Sequence, residues 1–455
     1  MLSSHSRTHA LLSGWSRVVI LLGLLVLFSG YSEPVHGQTV AHQTASTPVH
    51  FSPQAQIGFQ DGDDWEPSIT ADRLGHVYVL YKHYDVSGET TCAGCDLHLL
   101  FQRSSDGGKT WSKPRPIAPG AVSGGQYDPQ IVVDPVDGRT VWAAFLQGDT
   151  STIDVVKSTD FGKTWSKPRV VSKQPPGLDK DELAVRGNMI LVAYDDDFNT
   201  YASVSLDGGK SWTSQMVFPG NARFNLSLAA GAAIDSKGNL FISWDSFDQA
   251  HSENGDGPVT LWVSRSSDFG KHWTRKVIDV SGAPPACTDC GFAFLSAQMA
   301  LKVGADDTLY LLWNSTVDQT DFAPERIFFA RSSDQGRSFS KPYQVSGAPD
   351  GVEHAFPSLT TGGRGDVRIG WMDTRAGAWN VFYRASQDGG KSFGSTTQIS
   401  SFVPGYPYLS EAGFALPYGD YFSMVVDAKG ETQMAFGEGP SYQGPGNIWV
   451  AHHYP

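Results

Sequence analysis

Cysteine is scarce, four in 455 residues, far too few for an array of small disulfide-stapled domains. Basic residues are outnumbered, 34 Lys and Arg against 47 Asp and Glu for a formal net charge of -13. That balance excludes nucleic acid or an anionic membrane surface as the main partner, because both select for positive faces. Charge of either sign makes up only 18% of the chain, while aromatics reach 12% and glycines number 49. Such a chain folds around a packed core rather than staying disordered. Long apolar runs are missing but for one, residues 18–28 (VVILLGLLVLF), about eleven residues where a spanning helix needs about 20.

What stands around that run is an export signal. Arg7 and Arg17 precede it and small residues follow, with cleavage expected after Ser32 or Gly37. No cysteine lies near the cut to carry a lipid anchor; a retained signal anchor is the alternative reading. The expected layout is a signal peptide over residues 1–37, a polar linker over 38–48, and one folded domain over 49–455 of a secreted or periplasmic protein.

One pattern, Ser-x-Asp-x-Gly-x-(Thr/Ser)-(Trp/Phe), occurs six times. It reads SSDGGKTW at 104–111, STDFGKTW at 158–165, SLDGGKSW at 205–212, SSDFGKHW at 266–273, SSDQGRSF at 332–339 and SQDGGKSF at 386–393. Only His272 departs from the hydroxyl slot. The aspartates Asp106, Asp160, Asp207, Asp268, Asp334 and Asp388 follow one another at 47 to 66 residues, a spacing that suits one four-stranded sheet per repeat, as in propeller blades. The chemistry is that of a turn. Asp accepts backbone N–H groups, Gly takes positive φ, and the closing ring plugs the space between sheets. Six equivalent turns cannot share one active site, so these aspartates are read as structural. The octapeptides resemble the Asp-box (BNR) repeats of the sialidase superfamily, and the resemblance spans nearly all of the chain after the leader.

Between the boxes lie paired strands joined by an Asp/Gly turn, as in 69–81 (ITADRLGHVYVLY) and 424–436 (MVVDAKGETQMAF), with the period-2 alternation of a hairpin. The last hairpin leads to a third strand at 447–453 and then the chain ends. Residues 52–58 (SPQAQIG) resemble 340–347 (SKPYQVSG), a fourth strand. The expected fold is therefore all-β, a seven-bladed β-propeller whose last blade borrows its outer strand from the N-terminal region, which also leaves six boxes for seven blades. A six-bladed propeller with the ends as extra strands is the alternative.

With the boxes in the turns between third and fourth strands, the ligand funnel belongs to the opposite, top face. Aligning the first strands on Ile69 sets Glu66, Asp128, Lys180, Ala229, Phe356 and Tyr421 at one level of the channel mouth, with Ser296 or Gln298 for blade 5. Close carboxylates raise one another's pKa, an ingredient of acid/base sites; a solvated rim is the plainer alternative. Second-strand ends add His83, Asp195, Asp196, Asp245, Asp373, Arg375 and Glu438. Asp373 and Arg375, in WMDTRAG (371–377), either pair with each other or face a ligand. Asp195, Asp196 and Asp197 with Asn199 offer oxygen donors suited to Ca²⁺ but match no EF-hand spacing, so a solvated acidic loop is the simpler reading. His354 is a general-base candidate or a rim residue.

Cys92/Cys95 and Cys287/Cys290 form two Cys-x-x-Cys pairs in top-face loops. Local disulfides, disulfides between loops and a Zn²⁺ site all remain open, and no other cofactor is expected. The resemblance to sialidases implies a glycan-cleaving enzyme with an arginine trio, a Tyr–Glu nucleophile pair and an acidic Asp. Arg223, Arg326 and Arg375 map near the top, with Tyr421 beside Glu66 and Asp128 as acid. The Phe/Tyr-Arg-Ile-Pro string of that family is missing, and seven blades depart from its six. Other seven-bladed propellers of this type are polysaccharide lyases or xyloglucan-type glycosidases. For a lyase, His83 or His354 with Tyr421 or Tyr84 would remove the proton α to a uronate. The expectation is an exported propeller that acts on or binds glycans at its funnel, leaning to a sialidase-like glycoside hydrolase, with Lys180, Arg223, Arg326, Arg375 and Asp373 as substrate contacts. A non-catalytic propeller that binds glycan or protein is the alternative.

Overall fold

The computed structural model describes residues 49–58, 63–84, 98–118, 124–148, 150–172, 177–248, 257–283, 297–377, 379–401, 409–410, 413–414, 422–438 and 447–454. The chain divides into Met1–Ala41 and His42–Pro455. The expected signal peptide and linker lie outside the described residues, all of which belong to the second unit. Among the described residues no helix is long and apolar enough to cross a membrane.

Six four-stranded antiparallel sheets succeed one another. Their innermost strands are Asp63–Ala71, Gln126–Val133, Asp179–Arg186, Phe224–Ile234, Met299–Val303 and His354–Thr361. A seventh sheet is built from both ends of the domain. Ser423–Val426, Thr432–Glu438 and Asn447–Tyr454 form its inner three strands, and His50–Phe51 and Ala55–Ile57 lie along the outer edge of Asn447–Tyr454. Phe51 pairs with His453 and Gln56 with Trp449. Each innermost strand packs on the next and the seventh packs on the first. The protein is an all-β, seven-bladed propeller with its last blade closed by the N-terminal strand, and the six-bladed alternative is excluded.

Hydrophobic faces meet between blades. Tyr78, Leu80 and Phe101 of blade 1, for example, pack with Ile131, Ala143 and Phe145 of blade 2, all essentially buried. Towards the axis, the inner edge of each first strand has no ladder partner, and side chains of the neighbouring blade take its amides. Ile131 N donates to Ser68 Oγ and Val133 N to Thr70 Oγ1, both at 3.1 Å, and Ile69 N donates to Ser423 Oγ at 3.2 Å across the closure.

All six boxes form the same turn between third and fourth strands. In the first, Ser104 Oγ donates to Asp106 Oδ1 (2.7 Å) and accepts from Gly108 N (2.8 Å). Thr110 N donates to Asp106 Oδ1 (2.9 Å) and Thr110 Oγ1 to Asp106 Oδ2 (2.6 Å). His272 fills the hydroxyl slot with imidazole Nδ1, 2.6 Å from Asp268 Oδ2. The hydroxyl and amide of Thr164 hold the Asp160 carboxyl down at about 2. Each turn also wedges against the preceding blade: Trp165 meets Phe101 edge-on at 5.4 Å, and Phe393 meets Phe329 at 5.1 Å.

The fifth box position needs glycine twice over. Gly162 has φ +72, and a Cβ there would lie 2.5 Å from the Phe101 ring. Gly162→Ala is expected to lower unfolding free energy by at least about 2 kcal/mol, from left-handed strain and overpacking together, as measured by urea denaturation; a loss below about 0.5 kcal/mol contradicts the wedge role of this turn.

Candidate functional site

At the top of five blades the innermost strand breaks register, between Trp65 and Ser68, Tyr127 and Gln130, Asp179 and Glu182, Ala229 and Gly231, and Ala355 and Ser358. Within these bulges Glu66 (φ 56), Asp128 (φ 51), Lys180 (φ 46) and Phe356 (φ 53) adopt left-handed backbone. Non-glycine residues hold that region at a cost of about 1–2 kcal/mol each, and bulges of this kind re-aim side chains. Four of the residues that strand alignment places at the mouth are therefore those whose backbone is bent there.

The bulges hand carboxylates from blade to blade. Glu66 Oε2 accepts the amide of Asp128 (3.1 Å), and Asp128 Oδ2 accepts the amide of Lys180 (3.3 Å). One blade further on, Asp195 Oδ2 accepts the amide of Ala229 (2.7 Å). A central cavity below this rim is lined by residues that include Lys180, Glu182, Asp245, Lys302 and Phe356.

Burial and mutual repulsion displace the protons. Burial, with the charge of Asp128 adding to it, raises Glu66 from 4.5 to about 8. Burial raises Asp179 well above the usual carboxylate range against the pull of Lys180. Asp181, fully buried with no hydrogen-bond partner for either carboxylate oxygen, is likewise held well up by burial and by Asp128 and Glu182. Burial pulls Lys180 down, but Asp128, Asp179, Glu66 and Asp195 outweigh it and keep the ammonium above its ordinary value. Glu182 rises to about 7 through burial, opposed by Lys302. Asp245 is raised well up by burial alone. Blades 1 to 3 thus present a protonated Glu66 beside Asp128, with one ammonium in reach of several acids. That is the composition of an acid/base site.

The remaining sequence candidates are dispersed. His83 Nδ1 lies 2.7 Å from Asp64 Oδ1, both side chains buried in blade 1. His354 is buried, its Nδ1 3.1 Å from Val352 O and its Nε2 3.6 Å from Asp373 Oδ2, and burial lowers its pKa to about 4. Asp373 and Arg375 do pair with each other: Arg375 Nε donates to Asp373 Oδ2 at 2.8 Å while Trp371 Nε1 donates to the same oxygen at 2.7 Å. Arg326 is buried and donates to the carbonyls of Glu325 (2.9 Å) and Val352 (2.6 Å). Arg223, exposed, pairs with Asp248 at 2.8 Å. The three arginines are held by separate partners. Asp196 and Asn199 bond each other, with Tyr201 closing the loop onto Asp196 at 2.7 Å.

Tyr421 lies outside the described residues. So do Cys92, Cys95, Cys287 and Cys290, and with them the expected disulfides and the alternative Zn²⁺ site; neither enters the description of the mouth. Sequence reasoning missed Asp179, Asp181, Glu182 and Lys302. The string DKDE at 179–182 was the available signal, an acid-rich stretch interrupting an otherwise apolar inner strand.

Fold and mouth define a class first: an Asp-box propeller with an ionisable funnel rim. The chain belongs to the BNR repeat-like domain family, whose family model matches residues 37–284. It is 25% identical over 311 residues to the xyloglucanase Xgh74A of Acetivibrio thermocellus, covering 59% of this chain and 33% of that protein. It is 29% identical over 214 residues to a sialidase of Bacteroides fragilis, covering 38% of this chain and 37% of the sialidase. The chain thus spans about a third of the length of these relatives. Among solved structures, a protein of unknown function from Dyadobacter fermentans matches with a TM-score of 0.51 at 16% identity, over 89% of this chain and 98% of its own. An ulvan lyase of polysaccharide lyase family PL25 matches with 0.51 at 11%, over 84% and 93%. At these identities the likeness is one of fold.

Because Glu66 keeps its proton to about 8 in the folded chain and loses it near 4.5 when unfolded, the folded state binds the extra proton between those values. The stability that Glu66 contributes is therefore fully present below about 4.5 and is lost as pH rises to about 8. Glu66→Gln should flatten that fall, so that the variant gains on the native chain between pH 5 and pH 8 in Tm measurements. Parallel pH profiles for the two proteins would contradict the assignment.

Proposed function

We propose that this protein is an exported carbohydrate-active propeller that works on glycans at its top-face mouth by glycoside-hydrolase-type acid/base chemistry. The observation that carries the proposal is the Glu66–Asp128 pair, in which a buried glutamic acid holds its proton to about 8 beside a second carboxyl group. Glu66 is the proton donor to the glycosidic oxygen, Asp128 is the partner carboxyl group that stabilises the developing oxocarbenium charge or activates water, and Lys180 stands beside both. The names of the relatives, xyloglucanase and sialidase, support the substrate class.

Within glycans, neutral polysaccharides fit better than sialosides or uronates. The rim carries several carboxyl groups against Lys180, and Arg326 and Arg375 are committed to backbone carbonyls and Asp373. Among the described residues no convergent guanidinium cluster is left to clamp a substrate carboxylate bidentately.

The full chain, tested on a panel of neutral β-glucans, xyloglucan, sialosides and polyuronates, should release reducing ends from a neutral polysaccharide. Glu66→Gln should lower kcat at least about 100-fold with KM little changed. Binding without turnover, undisturbed by Glu66→Gln, identifies the non-catalytic alternative. Turnover confined to sialosides, or unsaturated uronate products, overturns the neutral-glycan reading.

A further inference from the structure

We propose that Asp179, Asp195 and Asp197 form a binding site for a hard divalent cation, Ca²⁺ by its donor set, between blades 3 and 4. Asp179, on the innermost strand of blade 3, lies directly opposite Asp195 at the end of the second strand, and Asp195 lies directly opposite Thr200 on the third. Residues opposite each other in antiparallel strands project from the same face, so two carboxyl groups and a hydroxyl share one side of the sheet. The chain then turns through Asp197, whose left-handed backbone (φ 63) returns its amide to Asp195 Oδ1 at 3.1 Å. One carboxylate oxygen from each of the three aspartates lies within 4.8 Å of the other two, a convergence of three that no other His, Cys, Asp or Glu residues reach among the described residues.

A second observation is independent of the acids. Thr200 and Ser227 are completely buried, and the hydroxyl of each has no hydrogen-bond partner. Folded proteins rarely leave buried hydroxyls unpaired, and a ligand or ion is a usual reason when they do. Both belong to this place. Thr200 faces Asp195 across the ladder, the amide of Ser227 donates to Asp197 O at 2.8 Å, and two residues on the amide of Ala229 holds Asp195 Oδ2. Oxygen donors alone, with neither His nor Cys, suit Ca²⁺ and disfavour Zn²⁺. Asp196, by contrast, spends its carboxylate on Asn199 and Tyr201. The ionisable neighbours are Lys180, Asp128, Asp181 and Glu66, and Lys180, the cation among them, is shared with Glu66 and Asp128. A bound cation would balance that excess and tie the second strand of blade 3 to the inner strand of blade 4. None of this depends on the glycan reading.

The test is equilibrium dialysis of the full chain, stripped with chelator, against CaCl₂, together with Tm measurements. One Ca²⁺ per chain is expected with Kd at or below about 1 mM, with protons released on binding and Tm raised. Asp197→Asn should weaken binding at least tenfold, and Asp137→Asn, on the underside, should leave it unchanged. If Asp197→Asn does not fold, Asp179→Asn is measured in the same way. No saturable binding up to about 10 mM, the result if Lys180 alone balances these acids, would overturn the proposal. So would saturable binding that both Asp197→Asn and Asp179→Asn leave intact.

Discussion

A closed ring of blades has an inner edge, and its amides are the constraint on which the rest of this structure depends. Each first strand is paired on one side only, and buried N–H groups on the other side must find acceptors. Lower in the channel neutral hydroxyls serve, Ser68, Thr70 and Ser423 each taking an amide of a neighbouring blade. At the mouth the acceptors are carboxylates. Glu66 takes the Asp128 amide, Asp128 the Lys180 amide and Asp195 the Ala229 amide. A structural need thus places acids in a buried, mutually repelling row. The raised pKa values of Glu66 and Asp195 follow from that placement rather than from any separate catalytic design.

The two faces of the propeller divide the work. On the underside the box carboxylates sit among hydroxyls and amides, with two oxygens fully occupied and their protons bound weakly. Those turns wedge the blades and leave nothing reactive. On the top the carboxyl groups outnumber their donors, the backbone is bent at Glu66, Asp128, Lys180 and Phe356, and Asp181 keeps two unpaired oxygens. Unpaired carboxylate oxygens and bent inner-strand backbone lie together on this face, where a stable scaffold can carry them.

How much of this was legible in the sequence follows from periodicity. The boxes, the Asp/Gly hairpins and the likeness of 52–58 to 340–347 are local patterns with a fixed period, and they yielded seven blades and their closure. The alignment on Ile69 found the mouth because an insertion of one residue per bulge falls at the same height in several blades. The same bulge hid the remainder. A register shift between Asp179 and Glu182 puts consecutive residues of DKDE into one acidic group, which period-2 reasoning assigns to opposite faces. The partners of the arginines were illegible for a different reason. Charge and height in a blade can be read from sequence, but the commitment of Arg326 to two backbone carbonyls and of Arg375 to Asp373 depends on loop paths that no spacing encodes.

The central claim is that a glutamic acid at the mouth is held protonated at neutral pH by burial and by its neighbour's charge. Carbon-13 NMR titration of side-chain carboxyls in glutamate-labelled protein reads this directly. The predicted result is a resonance that titrates at about 8, absent from the Glu66→Gln variant, and a second, from Glu182, at about 7. Every glutamate carboxyl titrating below about 6, inside the range of exposed and moderately perturbed side chains, would contradict it.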